Sequence, residues 1–376
     1  MPSSRVGGGP RRAERAACPR SVAVVMGTRP EIIKMSPIIR ALQASGQEFY
    51  TVFTGQHHSY DLSRVFFRQL RLPSPEFSLR VGSGTHAEET AKILVGVEKV
   101  LTKERPSVVL VEGDTNTVLG GALAAAKLGV PCAHVEAGLR SNDRRMPEEI
   151  NRVLVDHLAD FLFAPTDEAR NNLIREGLPD GKIHVVGNTI VDAVKENLVL
   201  ASETRLNIRA ARGPFALLTL HREENVDDPA RLKRIVRGVE LVSRKTGLPV
   251  VYPMHPRTRK RCAQFSISFP TGVFLLFPLD YLRFLKLEST ASIVLTDSGG
   301  VQEEACILKV PCVTLRDNTE RPETVEVGAN VVAGTRPDNI LRSTETMLRR
   351  RRDWPNPFGD GKAAVRIVGT ITSGHK

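Results

Sequence analysis

Aromatic residues make up only 5% of the chain, thin material for a base-stacking surface. Cysteine is also scarce: five residues, odd in number, scattered and without a C-x-x-C pair. That excludes a disulfide framework and points to buried, reduced thiols in a cytoplasmic protein. No apolar run approaches the roughly 20 residues that span a bilayer, so no membrane-spanning segment is expected. Two nucleotide-binding signatures are missing as well. There is no G-x-x-x-x-G-K-[ST] and no G-x-G-x-x-G, which removes the P-loop ATPase and the dinucleotide fingerprint.

What is present is a 376-residue chain, 41% hydrophobic and 25% charged, long enough for two ordinary domains. Its net charge of +11 is unevenly spread. Residues 1–20 carry Arg5, Arg11, Arg12, Arg15 and Arg20 against Glu14 alone, and Arg349 to Arg352 form a second block. The first twenty residues lack the apolar core of a secretory signal and are expected to be a disordered basic tail or to precede the true start. The remaining positive bias suits an anionic small molecule, and a nucleic-acid partner is not expected.

The chain is organised around residues 108–152. The β-branched run from Val108 to Val111 stops at Glu112-Gly113-Asp114. A small-residue helix follows, then a second run from Pro131 to Val135 that stops at Glu136-Ala137-Gly138, and Glu148-Glu149 opens the next helix. Parallel strand–helix–strand units bind ligands outside the carboxyl ends of their strands, so these acids converge on a ligand edge and suggest proton transfer.

Strands are read from Ser21 to Met26, Phe49 to Thr54, Phe161 to Ala164 and His184 to Val186 in a first half. A second half follows, with strands starting at Ala216, Val250, Val273, Ile293 and Cys312. Two halves that alternate strands with helices imply an α/β fold of two Rossmann-like, doubly wound domains facing a cleft, with the ligand between them. Residues 21–187 and 188–360 are the expected domains, and the helix within 361–376 is expected to pack back on the first.

The first strand ends at Gly27-Thr28-Arg29-Pro30-Glu31, a strand–glycine–helix arrangement that commonly cradles phosphate. Arg29 and Lys34 stand at the same mouth, readable as surface charge or as anion ligands; a cation at a helix N-terminus opposes the dipole. His57-His58 lacks a third ligand at metal-binding spacing, so no metal is expected. His221 and His255 fall at the ends of successive strands, where a histidine is either structural or functional. Asp297-Ser298-Gly299-Gly300 opens a helix after a strand, which favours a diphosphate at the backbone N–H groups. Glu304 lies one turn further in, placed for ribose hydroxyls, and Arg321 follows the next strand.

In order along the chain, GTRPEIIKMSP (27–37), TGQH (54–57), EGDTNT (112–117), HVEAGLRS (134–141), PEEINR (147–152), GNTIVDA (187–193), HREEN (221–225), DSGGVQEEA (297–305) and RDNTERPE (316–323) resemble the non-hydrolysing UDP-N-acetylglucosamine 2-epimerase family. The resemblance runs from Val22 to about Ile367. It implies a glycosyltransferase-B-like fold, a homodimer, no cofactor, and reversible conversion of UDP-GlcNAc to UDP-ManNAc through elimination of UDP to a 2-acetamidoglucal. By the same resemblance Asp114, Glu136 and Glu148 are the acid/base carboxylates, and His221 assists UDP departure. Arg29, Lys34 and His255 would line the pocket. Ser298, Gly299, Gly300 and Arg321 would hold the diphosphate, and Glu304 the ribose. The segments His58 to Asp61 and Gly82 to His86 depart from the relatives that bind a second, activating UDP-GlcNAc. A hydrolysing relative, an epimerase of a UDP-diacetamido sugar, and a glycosyltransferase of the same fold remain the alternatives.

Overall fold

The computed structural model describes residues 21–55 and 60–373, with 60–64 in backbone only. The basic tail and the His57-His58 pair lie outside the described residues. Two all-parallel sheets carry the architecture. The first has seven strands: β1 (Val22–Met26), β2 (Phe49–Phe53), β3 (Phe77–Ser78), β4 (Val108–Glu112), β5 (Cys132–Val135), β6 (Phe161–Ala164) and β7 (Ile183–Val185). The second has six: β8 (Ala216–Thr219), β9 (Val250–Pro253), β10 (Val273–Leu276), β11 (Ile293–Thr296), β12 (Cys312–Thr314) and β13 (Asn330–Val332). Their spatial orders are β3-β2-β1-β4-β5-β6-β7 and β10-β9-β8-β11-β12-β13.

Both orders reverse direction once, between β1 and β4 and between β8 and β11. Such a reversal opens a crevice at the carboxyl edge, because the connections on either side leave in opposite directions. The turn after β1 carries Gly27-Thr28 and the turn after β4 carries Glu112 to Asp114. The corresponding turns of the second sheet carry His221-Arg222 and Asp297-Ser298. The strand runs β1 and β4 are buried throughout, as expected for sheets covered on both faces. Two strands escaped the sequence reading: β3, of two residues, and β13, of three, are too short for a hydrophobic period.

The two sheets share a core. The helix Thr189–Ser202 packs on the helix Arg29–Ala44 and also on the helices Tyr281–Thr290 and Gly299–Ile307 of the second half. Leu282, Leu285 and Cys306 accordingly join a cluster with Ile32, Met35 and Val191. The last helix, Ala363–Ser373, packs on Arg29–Ala44, burying Ile367 and Ile371. Its first N–H groups, at Ala363 and Ala364, donate to the Asp192 carboxylate at 3.3 and 3.1 Å. Orphan N–H groups at a helix start need such an acceptor. Trp354 Nε1 donates to the Cys306 carbonyl at 3.0 Å, fastening the returning segment to the second half. Among the described residues no helix is long and apolar enough to cross a membrane.

Candidate active site

A cavity of about 1140 Å³ is lined from both halves, by Lys34, Glu112 and Glu136 on one side and Arg222, Glu303 and Arg321 on the other. Asp114 and Glu148 also face it.

At its floor, Lys34 reaches from the second turn of its helix to two strand-end carboxyls. Its Nζ lies 2.5 Å from Glu136 Oε2 and 3.3 Å from Glu112 Oε1. Burial opposes the ammonium, but the two carboxyls outweigh burial and hold Lys34 charged well above its usual range. Desolvation of the largely buried Glu136 side chain would by itself raise its pKa. Lys34, a hydrogen bond from Glu112 and the charge of Arg321 reverse this and lower it to about 2. Glu112 moves the other way: burial and the negative Glu136 push it well above the carboxylate range despite Lys34. Burial, Lys34 and Arg321 thus drive the two carboxyls apart in pKa, Glu136 downward and Glu112 upward. Glu136 also accepts from Asn188 Nδ2 at 3.0 Å.

The backbone at Glu136 is unusual. Its φ of +72° puts a non-glycine residue in the left-handed region, a conformation that costs on the order of 1 kcal/mol and persists where surroundings impose it. Two residues on, Gly138 has φ +82°, and a Cβ there would stand 2.2 Å from the Ala169 carbonyl oxygen. The turn after β5 is thus pinned against the helix Asp167–Arg175, with Glu136 at its bend.

The other acids take different places. Asp114 is ion-paired with Arg152, which also reaches Glu149 at 3.1 Å. Glu148 is exposed and lines the cavity, whereas its neighbour Glu149 is buried and accepts the N–H groups of Ser141 and Asn142 at 2.9 Å each. From the second half, Glu303 pairs with Arg321 at 2.7 Å, and Arg321 is raised first by Glu303 and further by Glu136. Lys34, Glu136, Arg321 and Glu303 therefore form one charge network across both sheets.

The structure separates the remaining expected residues. Gly27 and Thr28 do not offer free N–H groups to a phosphate: both donate to the Glu31 carboxylate, which closes a capping box. Glu31 also accepts from Thr115 Oγ1 at 2.6 Å, tying the β1 and β4 turns together. Its burial pushes it up to about 7 against those hydrogen bonds. Arg29 is exposed and not among the cavity-lining residues. His221 N and Arg222 N donate to the buried Asp297 carboxylate, and His221 Nδ1 lies 3.2 Å from the same group. The His255 ring is 5.7 Å from that of His221, and its Nδ1 accepts the Arg257 N–H as the cap of helix Pro256–Gln264. Ser298 caps the helix Gly299–Ile307. Gly299 lies beside Arg222, Glu320 and Arg321, and Gly300 borders open space. Glu304 turns away from this network toward Tyr281 and Glu288, and burial there pushes it up to about 7.

Sequence reasoning left Glu112, Glu303, Glu31 and Asn188 without roles. Glu112 carried a signal, as an acid at a strand end at the switch point; Glu303 and Asn188 carried only their place within the quoted motifs.

A sequence model of the UDP-N-acetylglucosamine 2-epimerase family matches residues 40–372. The chain belongs to this family. Over 363 residues it is 53% identical to a UDP-N-acetylglucosamine 2-epimerase of Methanocaldococcus jannaschii, covering 94% of this chain and 99% of that one. The crystal structure of the M. jannaschii epimerase in complex with UDP-GlcNAc and UDP superposes with a TM-score of 0.84 over 94% of this chain and 99% of that one. A UDP-2,3-diacetamido-2,3-dideoxy-D-glucuronate 2-epimerase of Pseudomonas aeruginosa is 43% identical over 353 residues, 92% of this chain and 98% of the relative. A spinosyn rhamnosyltransferase, 15% identical over 94% of this chain and 96% of its own, with a TM-score of 0.52, shares the fold alone. The fold of this epimerase-family chain is thus α/β and glycosyltransferase-B-like.

Proposed function

We propose that the chain interconverts UDP-GlcNAc and UDP-ManNAc without hydrolysis, by eliminating UDP across C1–C2 and adding it back. A base removes the C2 proton, the C–H electron pair becomes the C1=C2 bond of 2-acetamidoglucal, and the C1–O bond breaks with its electrons leaving on UDP. Return of a proton to the opposite face of C2, with UDP rejoining C1, gives the epimer. The observation that carries this reading is the strand-end pair Glu136 and Glu112, driven apart in pKa and bridged by Lys34 in a cavity that Arg321 also lines.

A carboxylate held by an ammonium is a weak base. It suffices if C1–O cleavage runs ahead, because developing positive charge at C1 acidifies the C2 proton. Arg321 and Lys34 supply the positive charge that the departing diphosphate needs. Asp114 and Glu148, facing the same cavity, are the remaining candidates for the opposite-face proton, with His221 and Ser298 to Gly300 toward the diphosphate. Glu304 is buried and off the cavity lining, so it would reach a ribose only by moving. Two domains, 21–187 and 188–360, closing on the ligand in a cytoplasmic homodimer complete the proposal.

The relation to the P. aeruginosa enzyme favours a second substrate, a UDP-diacetamido uronate, with the same chemistry at C2. Proton NMR in deuterated water with each UDP-sugar decides between them. UDP-ManNAc carrying deuterium at C2 is the expected product. Free ManNAc and UDP would show a hydrolysing enzyme, and turnover of the diacetamido uronate alone would reassign the substrate.

A further inference from the structure

We propose that His134 is a positioning residue, held as a doubly protonated imidazolium, that clamps the Glu112–Asp114 turn in place for proton transfer. This rests on the preceding reading of those acids.

His134 lies in β5 with no solvent exposure. Its Nδ1 is 2.7 Å from Asp156 Oδ1, and its Nε2 is 2.8 Å from the Gly113 carbonyl oxygen. A carbonyl only accepts. A neutral imidazole donates from one nitrogen and accepts at the other, so it would leave one of these contacts as acceptor against acceptor. Asp156 is no donor either. Its Oδ2 lies 2.7 Å from the Arg140 guanidinium and accepts from the Gly138 N–H at 3.2 Å, partners that hold the carboxyl ionised. Both ring nitrogens therefore carry hydrogen.

Burying this charge is tolerable because it is balanced locally. Arg140 also makes a two-pronged contact with Glu176 at 2.7 Å on each arm, so two cations face the two anions Asp156 and Glu176. On the other side the ring faces Gly113, between Glu112 and Asp114, both of which line the cavity.

The clamp joins the two acid-bearing turns. Gly113 has φ +86°, its N–H donates to the Val135 carbonyl at 3.1 Å, and its own carbonyl is held by His134. Asp156, holding His134 and Gly138 together, fixes the turn that carries Glu136. Asn151 steadies the far end through the Asp114 carbonyl at 2.9 Å. Loss of the Nε2 proton would leave the Gly113 carbonyl facing a lone pair, and the turn would shift.

The test uses full-length protein labelled with ¹⁵N-histidine. The His134 ring, assigned by its loss in His134→Gln, should show two protonated nitrogens in the folded protein near neutral pH. Asp156→Asn removes the counter-charge at almost constant volume and should convert the ring to the singly protonated form, an assignment that holds even if His134→Gln fails to fold. Gln at 134 has both its N–H donors on one nitrogen and cannot span the two opposite acceptors, so kcat should fall roughly 100-fold, as a misplacement near 1 Å implies, with UDP affinity unchanged. A singly protonated ring in the wild type overturns the proposal, as does His134→Gln turning over at the wild-type rate or losing UDP affinity in step with kcat. Wild-type protein without C2 exchange would instead sink the epimerase reading and leave the ring result standing.

Discussion

Replacing Lys34 with Met removes the cation that organises the cavity floor while keeping an unbranched side chain. Glu136 falls from 4.5 to about 2 in the folded protein. At about 1.4 kcal/mol per pH unit, that difference corresponds to about 3 kcal/mol of stabilisation. Breaking a buried pair by deleting one partner costs about 3–5 kcal/mol by an independent route, so the two figures agree. The pH dependence follows from the sign of the shift. A depressed carboxyl stabilises the fold above its unfolded value of 4.5, and that stabilisation is lost as pH falls toward about 2. In Lys34→Met the buried Glu136 has no ammonium, its pKa rises, and it destabilises the fold at neutral pH until protonated. The gap between wild type and variant should therefore be largest at neutral pH and shrink on acidification toward 4.5. Urea denaturation across that range measures it. A variant within about 0.5 kcal/mol of wild type at neutral pH, the scale of an ordinary surface change, would refute the reasoning.

Glu136→Gln should abolish deuterium incorporation at C2 while UDP still binds; turnover at the wild-type rate would remove Glu136 from the chemistry. Arg321→Ala strips the buried Glu303 of its partner, so UDP should bind more weakly and the fold should lose about 3 kcal/mol, read by calorimetric titration and denaturation. Unchanged UDP affinity would take Arg321 out of the diphosphate site. Glu31 is raised from 4.5 to about 7, so the folded state holds a proton that the unfolded state releases, and this group lowers stability as pH rises through that window. Glu31→Gln should flatten the stability–pH curve there by up to about 3 kcal/mol, and an unaltered slope would contradict the assignment.

The pattern of buried β-branched runs, each stopping at a polar or glycine turn, is local information, and it was enough to read the two parallel halves and to put acids at the strand ends. Motif order along nearly the whole chain was enough to point to the family. The sequence could not separate neighbours on a helix. Glu303 and Glu304 differ by about 100° around their axis, so one joins Arg321 in the cleft and the other meets Glu288 and Tyr281. Glu148 and Glu149 divide in the same way between solvent and a buried set of N–H groups. Nor could residue type alone say that Glu31 takes the N–H groups at the β1 turn, since Gly27 and Thr28 have the same backbone donors whichever acceptor arrives. The opposite acidities of Glu112 and Glu136 depend on Lys34 and Arg321, 78 positions or more away along the chain from Glu112 and in different halves of the molecule. Strand ends and family are written in neighbouring residues; charge state and direction are set by burial and by partners that only the tertiary structure brings together.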